Sequence, residues 1–273
     1  MRTLTLLALA ASLAFAPSAF ADDDKHENYF KADELDLGDI TVEMKNANAQ
    51  DDVLVFKTKV NNQTQDWIFI KKHELEFEVG DQTLQPYDGK EKPALVIDPE
   101  KSKSLSLKIK GSGLHVDEFT VDFKGVYKAA AKGKTAKGPE FVLPPAKNKA
   151  ELGPFECKVT SHDQATKVTK TTWECTYTGD GIGYVDASGI SVKIQTGEEF
   201  ASTFRKNKPA MLKHNESTKF TTTFEIEKRI VDMQFATLEL LWNDTFSESK
   251  LEAVDSDTWD FELDEELTAE KNE

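Results

Sequence analysis

The chain has 273 residues, with 34 Lys plus Arg against 49 Asp plus Glu, a formal net charge of −15. That excess of carboxylates argues against nucleic acid and anionic membrane surfaces as partners, because a phosphate backbone needs clustered cations to release its counterions. The length suits two domains of ordinary size, each able to bury a core.

The chain opens as a secretory leader. Met1-Arg2 is a short cationic start, Leu4 to Pro17 is an apolar run too short to span a bilayer, and Ala19-Phe20-Ala21 is a small-x-small cleavage site. Residues 1–21 are therefore predicted to be a signal peptide. The remainder is expected to be exported, periplasmic or secreted, without membrane insertion.

From Leu37 onward, apolar and polar residues alternate over short segments separated by turn signals such as Asn61-Asn62, Gly80-Asp81 and Gly179-Asp180-Gly181. The stretch from Leu37-Gly38 to Phe123 is echoed by Leu152-Gly153 to Trp242, at an offset that drifts from about 115 to about 119 residues. Val42 matches Cys157, and Phe56 to Val60 match Trp173 to Tyr177. Leu75, Phe77 and Val79 match Ile190, Val192 and Ile194, while Leu105, Leu107 and Ile109 match Phe220, Thr222 and Phe224. Phe119, Val121 and Phe123 match Leu238, Leu240 and Trp242. Many short strands with one apolar face each require two sheets that bury those faces against each other. Each copy reads as an antiparallel β-sandwich of about seven strands, with a closed barrel as the alternative.

Val60-Asn61-Asn62 closing an apolar strand, the Gly80-Asp81 turn, and Asp98-Pro99-Glu100 leading into Leu105, Leu107 and Ile109 resemble the telokin-like, immunoglobulin-type domains of exported bacterial proteins. The resemblance covers most of the first copy; in the second, Tyr177-Thr178-Gly179 and Asn215-Glu216 replace two of its signals. It implies an immunoglobulin-like sandwich used in binding or as a spacer, with no catalytic residues to carry over. The expected fold is all-β, two tandem immunoglobulin-like antiparallel sandwiches related by internal duplication. The first spans residues 29–127 and the second 141–261. Residues 128–140, small and basic, are expected to be a flexible linker, and residues 262–273 an acidic tail that frays.

The strand Asp66-Trp67-Ile68-Phe69-Ile70-Lys71 is apolar on both faces, which means either burial on both sides or a patch left for a partner. Cys157 and Cys175 share strand faces with core residues and are expected to form a structural disulfide. Their counterparts, Val42 and Thr58, should then face each other across two strands.

Catalytic and cofactor signals are lacking. His26, His73, His115, His162 and His214 are isolated, without metal-ligand spacing. Ser161-His162-Asp163 spells a triad in a row, but strand neighbours point to opposite faces and cannot pass a proton. Asp255, Asp257 and Asp260, with Asp22-Asp23-Asp24, supply oxygen ligands without the glycine turn and distal glutamate of a calcium loop. No catalytic residue, cofactor or metal is expected. The leading functional expectation is a non-catalytic exported binding or adaptor protein that contacts another protein. The alternative is an inhibitor of an exported protease, presenting Lys206-Asn207-Lys208-Pro209-Ala210-Met211 or its copy Lys90-Glu91-Lys92-Pro93-Ala94-Leu95.

Overall fold

The alternation becomes strand in nearly every place it occurs. A computed structural model describes residues 26–86, 93–203 and 209–273; the expected signal peptide lies outside these residues. In chain order, β1 (Asn28–Tyr29), β2 (Glu34–Asp36), β3 (Ile40–Ala49), β4 (Val53–Asn62), β5 (Trp67–Ile70) and β6 (Glu76–Val79) come first. They are followed by β7 (Gln82–Leu84), β8 (Leu95–Ile97), β9 (Ser102–Lys110), β10 (Glu118–Asp122) and β11 (Val126–Ala129). After a crossing come β12 (Lys134–Thr135), β13 (Phe141–Leu143), β14 (Lys149–Leu152), β15 (Phe155–Ala165), β16 (Val168–Tyr177) and β17 (Ile182–Val185). Then follow β18 (Ser191–Lys193), β19 (Glu199–Ala201), β20 (Ala210–Leu212), β21 (Ser217–Glu225), β22 (Leu238–Leu241) and β23 (Phe246–Ser249). The last elements are β24 (Glu252–Ala253), β25 (Thr258–Glu262) and one helix, α1 (Glu265–Lys271).

The paired strands are antiparallel, and among the described residues no sheet closes into a barrel. Around the first core lie three sheets, β2-β3-β4-β9 with β1 added on β3, β24-β11-β5-β8, and β25-β10-β6-β7. Around the second lie β14-β15-β16-β21, β12-β23-β17-β20 and β13-β22-β18-β19. The strand order is the same in both. Inward residues meet across the core: the Phe56 ring from β4 lies 5.6 Å from Phe77 and 5.3 Å from Phe261, edge to face.

The connection between the halves departs from the sequence expectation. Residues 128–140 are not a free linker: Lys128 and Ala129 end β11, paired with β5, while β12 and β13 pair with β23 and β22. Nor do residues 252–261 finish the second domain. β25 pairs with β10, Trp259 opposite Val121 and Phe261 opposite Phe119, and both aromatics lie in the first core. The segment after β11 thus completes the second half, and the segment after β23 completes the first. Trp259 and Phe141 stand at matching positions, as do Val254 and Ala136, whose amides donate to the carbonyls of Val126 and Phe246. Sequence pattern marks these segments as strands but says nothing about which neighbour they join, because either half has a free edge of the same shape.

The crossing itself is tight. Ser249 Oγ donates to Ala130 O at 2.7 Å and Ala131 N to Asp66 Oδ1 at 3.2 Å. A Cβ at Gly133 would stand 2.2 Å from Glu248 O, so only glycine passes there. The tail is also ordered. Asp264 caps α1 by accepting from Leu267 N at 3.0 Å, and the helix docks on β1, where Tyr29 N donates to Thr268 Oγ1 at 2.9 Å.

A third apolar cluster joins the halves. The outer faces of β5 and β11 present Trp67, Phe69 and Tyr127 to Ile182 and Tyr184 of β17 and to Met211 and Leu251. This resolves the two-faced strand: Ile68 and Ile70 point into the first core, while Trp67 and Phe69 are covered by the second half.

Candidate binding surface

Cys157 and Cys175 lie directly opposite each other on β15 and β16 and form the expected disulfide, with Cα atoms 4.0 Å apart. Their positions in the first half differ from the sequence alignment. Val42 stands opposite Val60, and Thr58 opposite Met44. The offset of about 115 residues persists through the second strand, so Val60 is the counterpart of Cys175. The drift arises later in the chain.

His162 Nδ1 bonds Thr171 Oγ1 at 2.9 Å, while the flanking Ser161 and Asp163 stand opposite Thr172 and Lys170. Asp260 accepts from Thr120 Oγ1 at 2.7 Å on the outer face of β25. That face also carries Glu76, Glu78, Glu118, Asp122 and Glu262, partly balanced by Lys124, 2.7 Å from Glu76 and 2.8 Å from Asp122. Asp22-Asp23-Asp24 lies outside the described residues. Among the described residues no three His, Cys, Asp or Glu side chains gather as a metal site, and no helix is long and apolar enough to cross a membrane.

Burial and the neighbouring Glu248 carboxylate hold the Tyr177 phenol well above its usual pKa; its oxygen also accepts from Gly181 N at 3.0 Å, fixing the glycine-rich turn. Burial in the seam pushes Tyr184 up to about 12. A cleft of about 550 Å³ opens along the seam beside Phe69, Ala94, Ile182, Leu251 and Lys213. Its polar rim is largely engaged internally: Lys71 pairs with Glu74 at 3.1 Å, His214 Nδ1 bonds Gly179 O at 3.1 Å, and Lys213 N donates to Glu216. Of the inhibitor loops, Lys206–Lys208 and Lys90–Lys92 lie outside the described residues, while Leu95 and Ala210 are strand residues packed against the first and second cores and Met211 is a strand residue at the seam.

The most exposed large apolar side chain among the described residues lies elsewhere. The loop between β21 and β22 is tied to the β15–β16 turn by Ile226 N to Lys167 O and Met233 N to Thr166 O, both 3.1 Å. Gln164 Nε2 donates to Met233 O at 3.1 Å and Ala236 O at 3.2 Å. Met233 is fully buried and Ala236 nearly so, yet Phe235 between them is 80% exposed, and Ile230 is 40% exposed. The charges alongside pair among themselves, Lys228 with Asp232 at 3.6 Å and Arg229 with Glu227. The first half has Gly111 N and Leu114 N donating to Asp52 O and Asp51 O, the same two bonds joined by a shorter loop. The drift of the repeat from 115 to 119 is this insertion. It was the one available sequence signal for Phe235, and it reads as ordinary loop variation because surface connections tolerate added residues.

No protein-family model matches the chain, and no curated protein matches it. Among solved structures, AerE from Microcystis aeruginosa aligns over 86% of this chain and 98% of its own, at 10% identity and a TM-score of 0.11, a likeness too slight to carry an argument.

Proposed function

We propose that this chain is a non-catalytic, exported binding or adaptor protein built from two immunoglobulin-like sandwiches of common origin, and that it contacts another protein through the end of its second half. The observation that carries this reading is Phe235, an aromatic side chain 80% exposed on a loop fixed by hydrogen bonds on both sides. A rigid aromatic held in water gains most when a pocket covers it, and such residues dominate protein interfaces. The disulfide supports an oxidising compartment. The recurring strand order supports duplication, and the seam cluster supports a fixed relation between the two halves.

The test is affinity capture from the source organism's envelope and culture medium, with the wild-type chain and Phe235→Ser compared side by side. A saturable partner retained by the first and lost by the second is the expected result. Identical captures by both would refute the role of Phe235, and a captured protease inhibited by the chain would replace the adaptor with an inhibitor.

A further inference from the structure

The two halves share their strand order but differ at one end. In the first half, β1 runs along the far part of β3, with Asn28 opposite Ala49, Tyr29 opposite Asn48, and Phe30 N donating to Ala47 O at 3.3 Å. Asn28 Nδ2 reaches over to donate to Val116 O at 2.9 Å, and the Phe30 ring packs edge-on against Phe119 with centroids 4.6 Å apart. An added strand therefore covers this end of the core.

Register carries each of these positions into the second half. His162 and Gln164 stand where Ala47 and Ala49 stand, Leu238 where Phe119 stands, and Phe235 where Val116 stands. No described strand lies there. β14 pairs only with Phe155 to Lys158, and the last outward bond of β15 is Val159 N to Asn148 O. Among the described residues, Ser161 to Ala165 pair with β16 alone. Inside this edge His162 Nε2 and the fully buried Thr169 Oγ1 have no hydrogen-bond partner.

We propose that this end of the second half is a strand-acceptor site: an extended segment of a partner protein pairs antiparallel with Ser161–Ala165 and lays an apolar side chain against Phe235. The inference rests on the binding reading above and narrows it to one mode. An unpaired strand edge offers a row of backbone donors and acceptors, and main-chain bonding supplies affinity while alternate side chains supply selectivity. In the first half the same register is filled by a strand that places Phe30 over the core, and a partner segment would take the equivalent place here. Because the neighbouring charges already pair with one another, the segment that fits is apolar at alternate positions and lightly charged.

The experiment pans a random twelve-residue peptide library displayed on phage against the chain from Asp22 onward, and maps amide hydrogen exchange with synthetic copies of the selected peptides. The expected peptides slow exchange at His162 and Gln164 by at least about tenfold, and bind Phe235→Ser at least about tenfold more weakly. Peptides that depend on Phe235 but leave Ser161–Ala165 exchanging freely would overturn strand pairing while sparing the binding role of Phe235. Peptides indifferent to Phe235→Ser, or recovery of none, would overturn the acceptor site altogether. Self-association in sedimentation that protects the same amides would make the occupant a second copy and overturn the partner segment.

Discussion

Ending the chain at Leu251 should unfold the first half and spare the second. The truncation removes Trp259 and Phe261, which are 3% and 2% exposed, together with the β10–β25 ladder and the helix on β1. Removing a buried Phe or Trp side chain costs about 3–5 kcal/mol, so the pair approaches about 6–10 kcal/mol before any backbone bond is counted. Their rings are in contact, with centroids 4.6 Å apart, so the two costs are not strictly additive. Even the lower figure rivals the whole stability of a typical domain, about 5–15 kcal/mol. Hydrogen exchange read by mass spectrometry separates the halves. In the truncated chain the amides of Glu118–Asp122 and Glu76–Val79 should exchange as in an unfolded chain, while Leu238–Leu241 keep their protection. A synthetic peptide spanning Glu252–Glu273, added in trans, should restore the first set. Loss of protection at Leu238–Leu241 with retention at Glu118–Asp122 would refute the exchanged connectivity and return these residues to the second half.

Replacing Cys157 and Cys175 by alanine should lower the stability of the second half by roughly 3 kcal/mol, as the chain-entropy account gives for a loop of this size; urea titration with and without reductant checks it, and a wild-type midpoint unmoved by reductant would contradict it. Val42→Cys with Val60→Cys should oxidise spontaneously, since both are fully buried and stand opposite each other at the register of the natural bridge; intact mass before and after reduction reports the bond, and two free thiols in the folded protein would count against the register. The ammonium of Lys158, with Lys219 beyond it, holds the Glu174 carboxyl below its ordinary 4.5. A depressed carboxyl contributes stability above its unfolded pKa and loses it as pH falls through the folded value. The Tm difference between wild type and Glu174→Gln should therefore be largest near neutrality and fade as pH falls from 4.5 through the lowered folded value; a difference that grows in acid would reverse the sign.

The strands were legible because period-two alternation is a local property: Val42, Phe56, Phe77 and Leu107 all fall on the inward faces that it assigns. The disulfide was legible because both cysteines share faces with core residues. The pairing of Trp259 with Val121 was not, since nothing within a few residues of Trp259 distinguishes one open edge from another. Similarly, Lys128 to Pro139 looks like a linker because it is small, basic and nearly devoid of large apolar residues, yet residues without bulk are what a crowded crossing requires, as the contact of Gly133 with Glu248 shows. The candidate surface was hidden for the converse reason. Phe235 sits among Met233, Ala236 and Leu238, and an alternating pattern gives no warning that one aromatic in such a run is left in water.

The crossing between Ala130 and Gly133 also sets an order of completion. A chain that emerges amino terminus first exposes β3 to β11 early, yet the edge of β10 stays open until Phe261 has appeared. By then residues 134–249 hold every strand of their own core. The half made first is thus finished last, and its closing contact must wait for the synthesis of an entire intervening unit. During that interval the backbone edge of β10 is unpaired and Phe119 and Phe123 lack their ring contacts with Phe261 and Trp259, which leaves the unfinished half open to pairing with a stray strand.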